Sequence, residues 1–271
     1  MILPDVQSEP DERCIGIDEV GVSGLRYPVS VFHAEHGKQD TVANVSLSVS
    51  LPPEQKGSHL SRFVEVLDSH AGEITPQSIP AVLQHLRDRL DARSARLALQ
   101  FPYFLRRSAP VSGASALVDY ACGIAASIRD DVVEFAMSAG VPVTSVCPCS
   151  KAISDYGAHN QRGTVTIHAV PNWSDDVDPV WLEDLIEAAE ASGSSPVYPL
   201  LKRADERHVT MGAYDHPAFV EDMVRSVAER LRRDPRIARF SVEAVNDESI
   251  HNHAAFARLA WPPSDGGAAR W

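Results

Sequence analysis

The stretch Thr41–Leu51, TVANVSLSVSL, read together with YPVSVFHAE at 27–35, decides the fold class. In the first, Val42, Asn44, Ser46 and Ser48 alternate with Val45, Leu47 and Val49, the two-residue period of a half-buried strand. Both stretches are rich in β-branched residues, which suit a pleated surface, and the polar linker EHGKQD turns one back on the other. A helical period follows. After Ser58, which can cap, Leu60, Phe63, Val64 and Leu67 recur three and four apart. After Pro76, Ile79, Val82, Leu83, Leu86 and Leu90 do the same, and ARLALQFPYF and ALVDYACGIAASI return to strand character.

The same order then recurs. VVEFAMSAGVPVTSV and GTVTIHAV read as strands, and DPVWLEDLIEAAEAS as a helix capped by Asp178 with Pro179 at its first position. HPAFVEDMVRSVAERLRR reads as a second helix turning Phe219, Val220, Met223, Val224, Val227 and Leu231 inward, before strands IARFSVEAVN and HAAFARLAW. The expectation is an α+β protein of two tandem units, each of order ββααββ, meeting near residue 130. An acidic, prolyl, mobile arm would cover residues 1–24, the first unit 25–129, the second 130–261 and a tail 262–271.

With 271 residues, 44% of them hydrophobic, the chain can bury a substantial core. Its 37 acidic and 25 basic residues give a formal charge of −12, which opposes broad contact with nucleic acid or anionic lipid. A small phosphorylated molecule needs only a local basic pocket, so it stays open. There is no basic, apolar leader and no run approaching the ~20 apolar residues of a membrane span. The expectation is a cytoplasmic protein. Four cysteines in this length make no secreted disulfide framework, and Cys14 and Cys122 read as a tail residue and a core filler.

The chemistry concentrates in VCPCSKAISDYGAHNQR, 146–162. Cys147 and Cys149 flank a proline and His159 follows beside a turn, so thiolate and imidazole can converge on zinc or a similar divalent ion. The competing reading is a pair of partly buried cysteines in a turn. KGSHLSRF sets Lys56, His59 and Arg62 at a helix start, where free N–H groups suit an anion, or where an ordinary cap sits. LLKRADERHVT offers Glu206 as a hard ligand completing a metal shell, against a solvated helix face. Glu221 in FVEDM faces a pocket or is a first-turn acid favoured by the helix dipole. His251 and His253 in NDESIHNHAAF share one site if extended, or stand exposed on a loop.

Taken together, GVSGLRYPVSV, KGSHLSRF, CPCSK, GAHNQR, KRADERHVT, PAFVEDMVR and NDESIHNHAAF resemble, in order, the prokaryotic type IB GTP cyclohydrolases. The resemblance runs from about Gly21 to Phe256 and implies two tandem tunnelling-fold units, each an antiparallel sheet with two helices on one face. It implies a homotetramer with active sites where subunits meet. The implied reaction takes GTP and water to 7,8-dihydroneopterin triphosphate and formate, opening folate biosynthesis, with one divalent metal (zinc, manganese or iron) per site. By resemblance Cys147, His159 and Glu206 ligate the metal, Cys149 stands at the edge of the shell, and His251, with His253 as understudy, moves protons. Glu221 would anchor the guanine edge, and Lys56, His59 and Arg62 the triphosphate, from a neighbouring subunit. Two rivals are a related nitrile reductase acting on a deazaguanine, against which stand SKAISDYGAHNQR after the cysteine and the lack of a dinucleotide fingerprint, and a non-catalytic purine-binding protein with a closed metal shell.

Overall fold

The structure, a computed structural model, describes residues 5–35, 37–70, 74–75, 77–172 and 178–262. The expected tail beyond residue 262, and Pro76 ahead of the second helix, lie outside them. The chain is α+β and divides into two compact units, Met1–Pro102 with Gly123–Ala136 and Tyr103–Cys122 with Met137–Trp271.

In order, the elements are β1 (Ile17–His33), β2 (Gly37–Leu51), α1 (Leu60–Ser69), α2 (Ile79–Arg89), β3 (Ser94–Ser108), β4 (Ser115–Arg129) and β5 (Val132–Val146). There follow α3 (Pro148–Ile153), β6 (Asn160–Pro171), α4 (Leu182–Glu190), β7 (Ser195–Pro196), α5 (Arg203–Asp215), α6 (Val220–Arg232), β8 (Ile237–Asp247) and β9 (Ala254–Trp261). The order ββααββ holds from β1 to β4, whereas the second half also carries α3, β7 and α5.

In the first unit β1, β2 and β3 pair antiparallel. Ala43, Val45, Leu47, Val49 and Leu51 of β2 point into the core while Val42 is exposed, the alternation read from the sequence. α1 buries Phe63, Val66 and Leu67, and α2 buries Ile79, Val82, Leu83 and Leu86. Val64 and Leu60 are exposed, contrary to the expected apolar face, because they stand about 100° and 60° around the helix from Phe63 on the side away from Val66. The N-cap of α1 is His59 rather than Ser58.

β1 begins at Ile17, so residues 17–24 are strand and not arm. Its outer half is only partly covered, with Val20, Val22, Leu25 and Tyr27 half-buried between exposed neighbours, and the register slips between Val22 and Leu25 at Gly24, whose φ of +73° suits a bulge. Residues ahead of β1 are tied down as well: Gln7 Nε2 donates to the Ser58 carbonyl at 2.7 Å, and Pro10 bridges to Gln55.

In the second unit β5, β6, β8 and β9 pair antiparallel in that order, with β7 beside β5. α6 lies on β8 and β9 and buries Val220, Met223, Val224, Val227, Ala228 and Leu231. Each large apolar side chain there contributes about 1.5–3 kcal/mol of burial, so a charge at Val227 would unseat the helix. α4 starts at Leu182, not after Asp178, because the Asp184 carboxylate accepts from Trp181 N–H at 2.9 Å and sets the first turn there.

Candidate active site

β5 and β6 are neighbours in register, Val146 opposite Asn160 and Ser145 opposite Gln161, so the residues between form one excursion. Cys147 N–H donates to the His159 carbonyl at 3.0 Å and closes its base. That is how twelve residues of sequence shrink to one edge. Cys147 is extended (φ −69°, ψ 118°), and Pro148 begins α3 with the φ a first helical residue needs. Ser150 N–H reaches the Cys147 sulfur at 3.4 Å and orients it.

His159 is held by a chain of hydrogen bonds. Its Nδ1 lies 3.0 Å from Gln161 Oε1, Gln161 Nε2 donates to Ser145 Oγ at 3.1 Å, and Ser145 Oγ donates to the Ala218 carbonyl at 2.8 Å. With Gln161 Oε1 as acceptor the proton sits on Nδ1 and Nε2 keeps its lone pair, the state of a metal ligand or base. Glu248 Oε2 stands 3.9 Å from the same Nδ1.

The same clamp places α6. Ala218 N–H donates to the Val146 carbonyl at 3.1 Å, and Phe219 N–H donates to Asp222 Oδ2 at 3.0 Å, so the first turn carrying Glu221 starts beside Cys147. The loop from β8 to β9 adds His251 and His253, whose rings stack at 5.1 Å between centroids and 14° between planes. Cys147, His159, Gln161, Glu221, Asn246 and the two histidines line one cavity of about 500 Å³, with Phe219, Val220 and Phe256 as apolar walls. Phe219, expected inward, is a pocket wall instead.

The other expected site residues lie elsewhere. Cys149 is exposed on α3 and outside the cavity lining. Glu206 is exposed in the first turn of α5 and outside it too. Its neighbour Asp205 is wholly buried: it accepts from Val111 N–H and Ser112 N–H at 2.8 Å, Ser112 Oγ at 2.6 Å and Lys202 N–H at 2.8 Å. Burial works against the Asp205 charge, but the Ser112 hydroxyl and three backbone N–H groups hold its pKa well below the usual carboxylate range. The sequence reading missed Asp205, Gln161 and Ser145. Gln161 was findable, being two residues from His159 on a strand and hence on its face.

In the first unit Lys56 Nζ pairs with Glu9 Oε2 at 2.6 Å and Arg62 Nη1 donates to the Arg89 carbonyl at 3.4 Å. His59 Nε2 lies 3.4 Å from Asp5 Oδ2 and 3.3 Å from Ser8 Oγ. For a metal, Cys147 sulfur and His159 Nε2 are donors of the right kind, and both residues line the cavity. Among the described residues no three His, Cys, Asp or Glu side chains are grouped closely enough to hold an ion, and Glu206 lies outside the cavity that Cys147 and His159 line.

Among solved structures the chain is similar to uricase from Arthrobacter globiformis (TM-score 0.54, 11% identity, covering 94% of this chain and 96% of that one). It is also similar to a uricase from Bacillus fastidious (TM-score 0.52, 8% identity, 92% and 93%). These likenesses show a shared tunnelling-type fold and no more. By sequence it is 49% identical over 96% of its length to GTP cyclohydrolase FolE2 of Methylococcus capsulatus, covering 95% of that protein. It is 47% identical over 95% to GTP cyclohydrolase FolE2 of Nitrosococcus oceani, covering 94%. The family model for type I GTP cyclohydrolase folE2 matches residues 3–257. The chain belongs to the type I GTP cyclohydrolase FolE2 family.

Proposed function

We propose that this protein is a GTP cyclohydrolase of the type IB subdivision, converting GTP and water to 7,8-dihydroneopterin triphosphate and formate at the head of tetrahydrofolate biosynthesis. The observation that carries the reading is the convergence of Cys147 and His159 from the β5–β6 excursion, Glu221 from α6 and His251 from the β8–β9 loop on one cavity. Its relatives, similar over nearly their whole length, bear the name of that activity.

Each residue has a physical role. The Glu221 carboxylate offers two acceptors to the N1–H and 2-amino hydrogens of guanine, while Phe219 and Phe256 supply apolar walls for the ring. His251 takes and returns protons at the opening imidazole nitrogen and the ribose, since imidazole as a class titrates near neutrality, and the stacked His253 fixes its ring. Gln161 and Ser145 keep His159 in the Nδ1–H tautomer.

One divalent cation, zinc, manganese or iron, would be held by Cys147 and His159, with Glu206 as third ligand by resemblance alone. When bound it lowers the pKa of water and polarises the formyl oxygen. Lys56, His59 and Arg62 bind the triphosphate from a neighbouring subunit of a homotetramer, and the chain comprises two tandem tunnelling-fold units. The test is to incubate metal-reconstituted protein with GTP and follow formate and pterin fluorescence. Formate release that survives both chelation and Cys147→Ala would overturn the reading.

A further inference from the structure

Asn246, near the end of β8, lines the cavity yet is only 2% exposed. Its amide oxygen is buried and finds no hydrogen-bond partner among the described residues. A buried acceptor left unpaired costs about 1–3 kcal/mol, so a native pocket retains one where a ligand supplies the donor. The strand opposite is shaped to accept this side chain. Gly163 of β6 is the cross-strand partner of Asn246, and a Cβ built on it would fall 2.1 Å from the amide oxygen. No side chain larger than hydrogen is compatible with the amide in this place. Glycine there has no positive φ to justify it, so the space for Asn246 is its physical rationale.

We propose that Asn246 is a specificity residue for the purine, its amide oxygen accepting from the exocyclic 2-amino group of guanine. This rests on the GTP reading of the same cavity and adds a contact to it. A carboxylate such as Glu221 can take N1–H and one hydrogen of the 2-amino group; the second hydrogen still needs an acceptor out of water. Asn246 and Glu221 line one cavity, and the amide oxygen, packed over Gly163, is a buried acceptor without a partner among the described residues. The ligand class is therefore a 2-aminopurine nucleotide, with a 6-oxopurine lacking that group discriminated against.

The experiment measures equilibrium binding of GTP and of inosine triphosphate, the same nucleotide without the 2-amino group, to the full-length protein, and formate release from each. Wild type should favour GTP, and Asn246→Leu should weaken GTP by about 3- to 10-fold while leaving inosine triphosphate unchanged. Gly163→Ala, which displaces the amide without removing it, should reproduce that loss of preference. Asn246→Leu should melt no lower than wild type, because it removes a buried group that makes no bond in the free protein. An unchanged GTP preference in Asn246→Leu, or equal losses for both nucleotides with a lowered melting temperature, overturns the proposal and leaves the cyclohydrolase reading standing. Wild-type protein that discriminates the nucleotides but releases no formate overturns that reading instead and keeps the contact.

Discussion

The cavity of the second unit and the start of α1 in the first unit are both dense in polar motif residues, yet they differ in what those residues are bonded to. Around the cavity the supporting bonds are made by Gln161, Ser145 and backbone groups, while His159 and Glu221 line the cavity itself. At α1, Lys56 is paired with Glu9, and His59 lies beside Asp5 and Ser8. Motif density is equal in the two; spare bonding capacity is not. That capacity distinguishes a preorganised site from a surface where Lys56 is already paired and Arg62 is spent on the Arg89 carbonyl.

The largest effect expected from this contrast is at the cavity. Cys147→Ala or His159→Ala should bring formate release to background with the far-ultraviolet circular dichroism spectrum unchanged, since neither side chain holds the core. Retained turnover would erase the distinction between the two regions. Gln161→Leu removes two supporting bonds and no metal ligand, so it should lower metal affinity or activity by about 10- to 100-fold. Titrating metal into the variant measures this apart from turnover. Asp205→Ala tests structure rather than chemistry: it strips three hydrogen bonds joining the turn at Val111 and Ser112 to the start of α5, and a fourth, from Lys202 N–H, that caps the helix. The melting temperature should fall by several degrees, and Asp205→Asn, which keeps part of the acceptor set, should fall less.

Strand β2 and most of the inward face of α6 were readable because burial imprints its period on the chain. Val45, Leu47 and Val49, and Val224 and Val227, point where alternation and helical spacing put them. What escaped lies where burial leaves no period. The outer half of β1 is only half-buried on one face and its period slips at Gly24, and α4 begins where Asp184 folds back on Trp181 rather than at the proline. Of the site, Cys147, His159, Glu221, His251 and His253 were legible as reactive types near turns and helix starts. Asp205 was not: its sequence surroundings are all charge, and only the fold shows that it turns inward while Glu206 turns out. Asn246 was seen as a neighbour of the histidines, and its unsatisfied oxygen is a property of the packed pair with Gly163.

The smallest effect concerns the cation at α1 and sharpens the contrast most. Lys56 and Glu9 are each about half exposed, at 43% and 51%, so their pair contributes at most about 1 kcal/mol to stability. If Lys56 serves the triphosphate, Glu9 competes with the substrate for it. Glu9→Gln should then lower KM for GTP by about two-fold at low salt with kcat unaltered, and the gain should fade as salt screens the pair. Lys56→Ala should raise KM instead, because it takes away the cation rather than its competitor. If both substitutions leave KM where it was, the α1 cluster is an internal ion pair, and the cationic contribution to triphosphate binding must come from other residues.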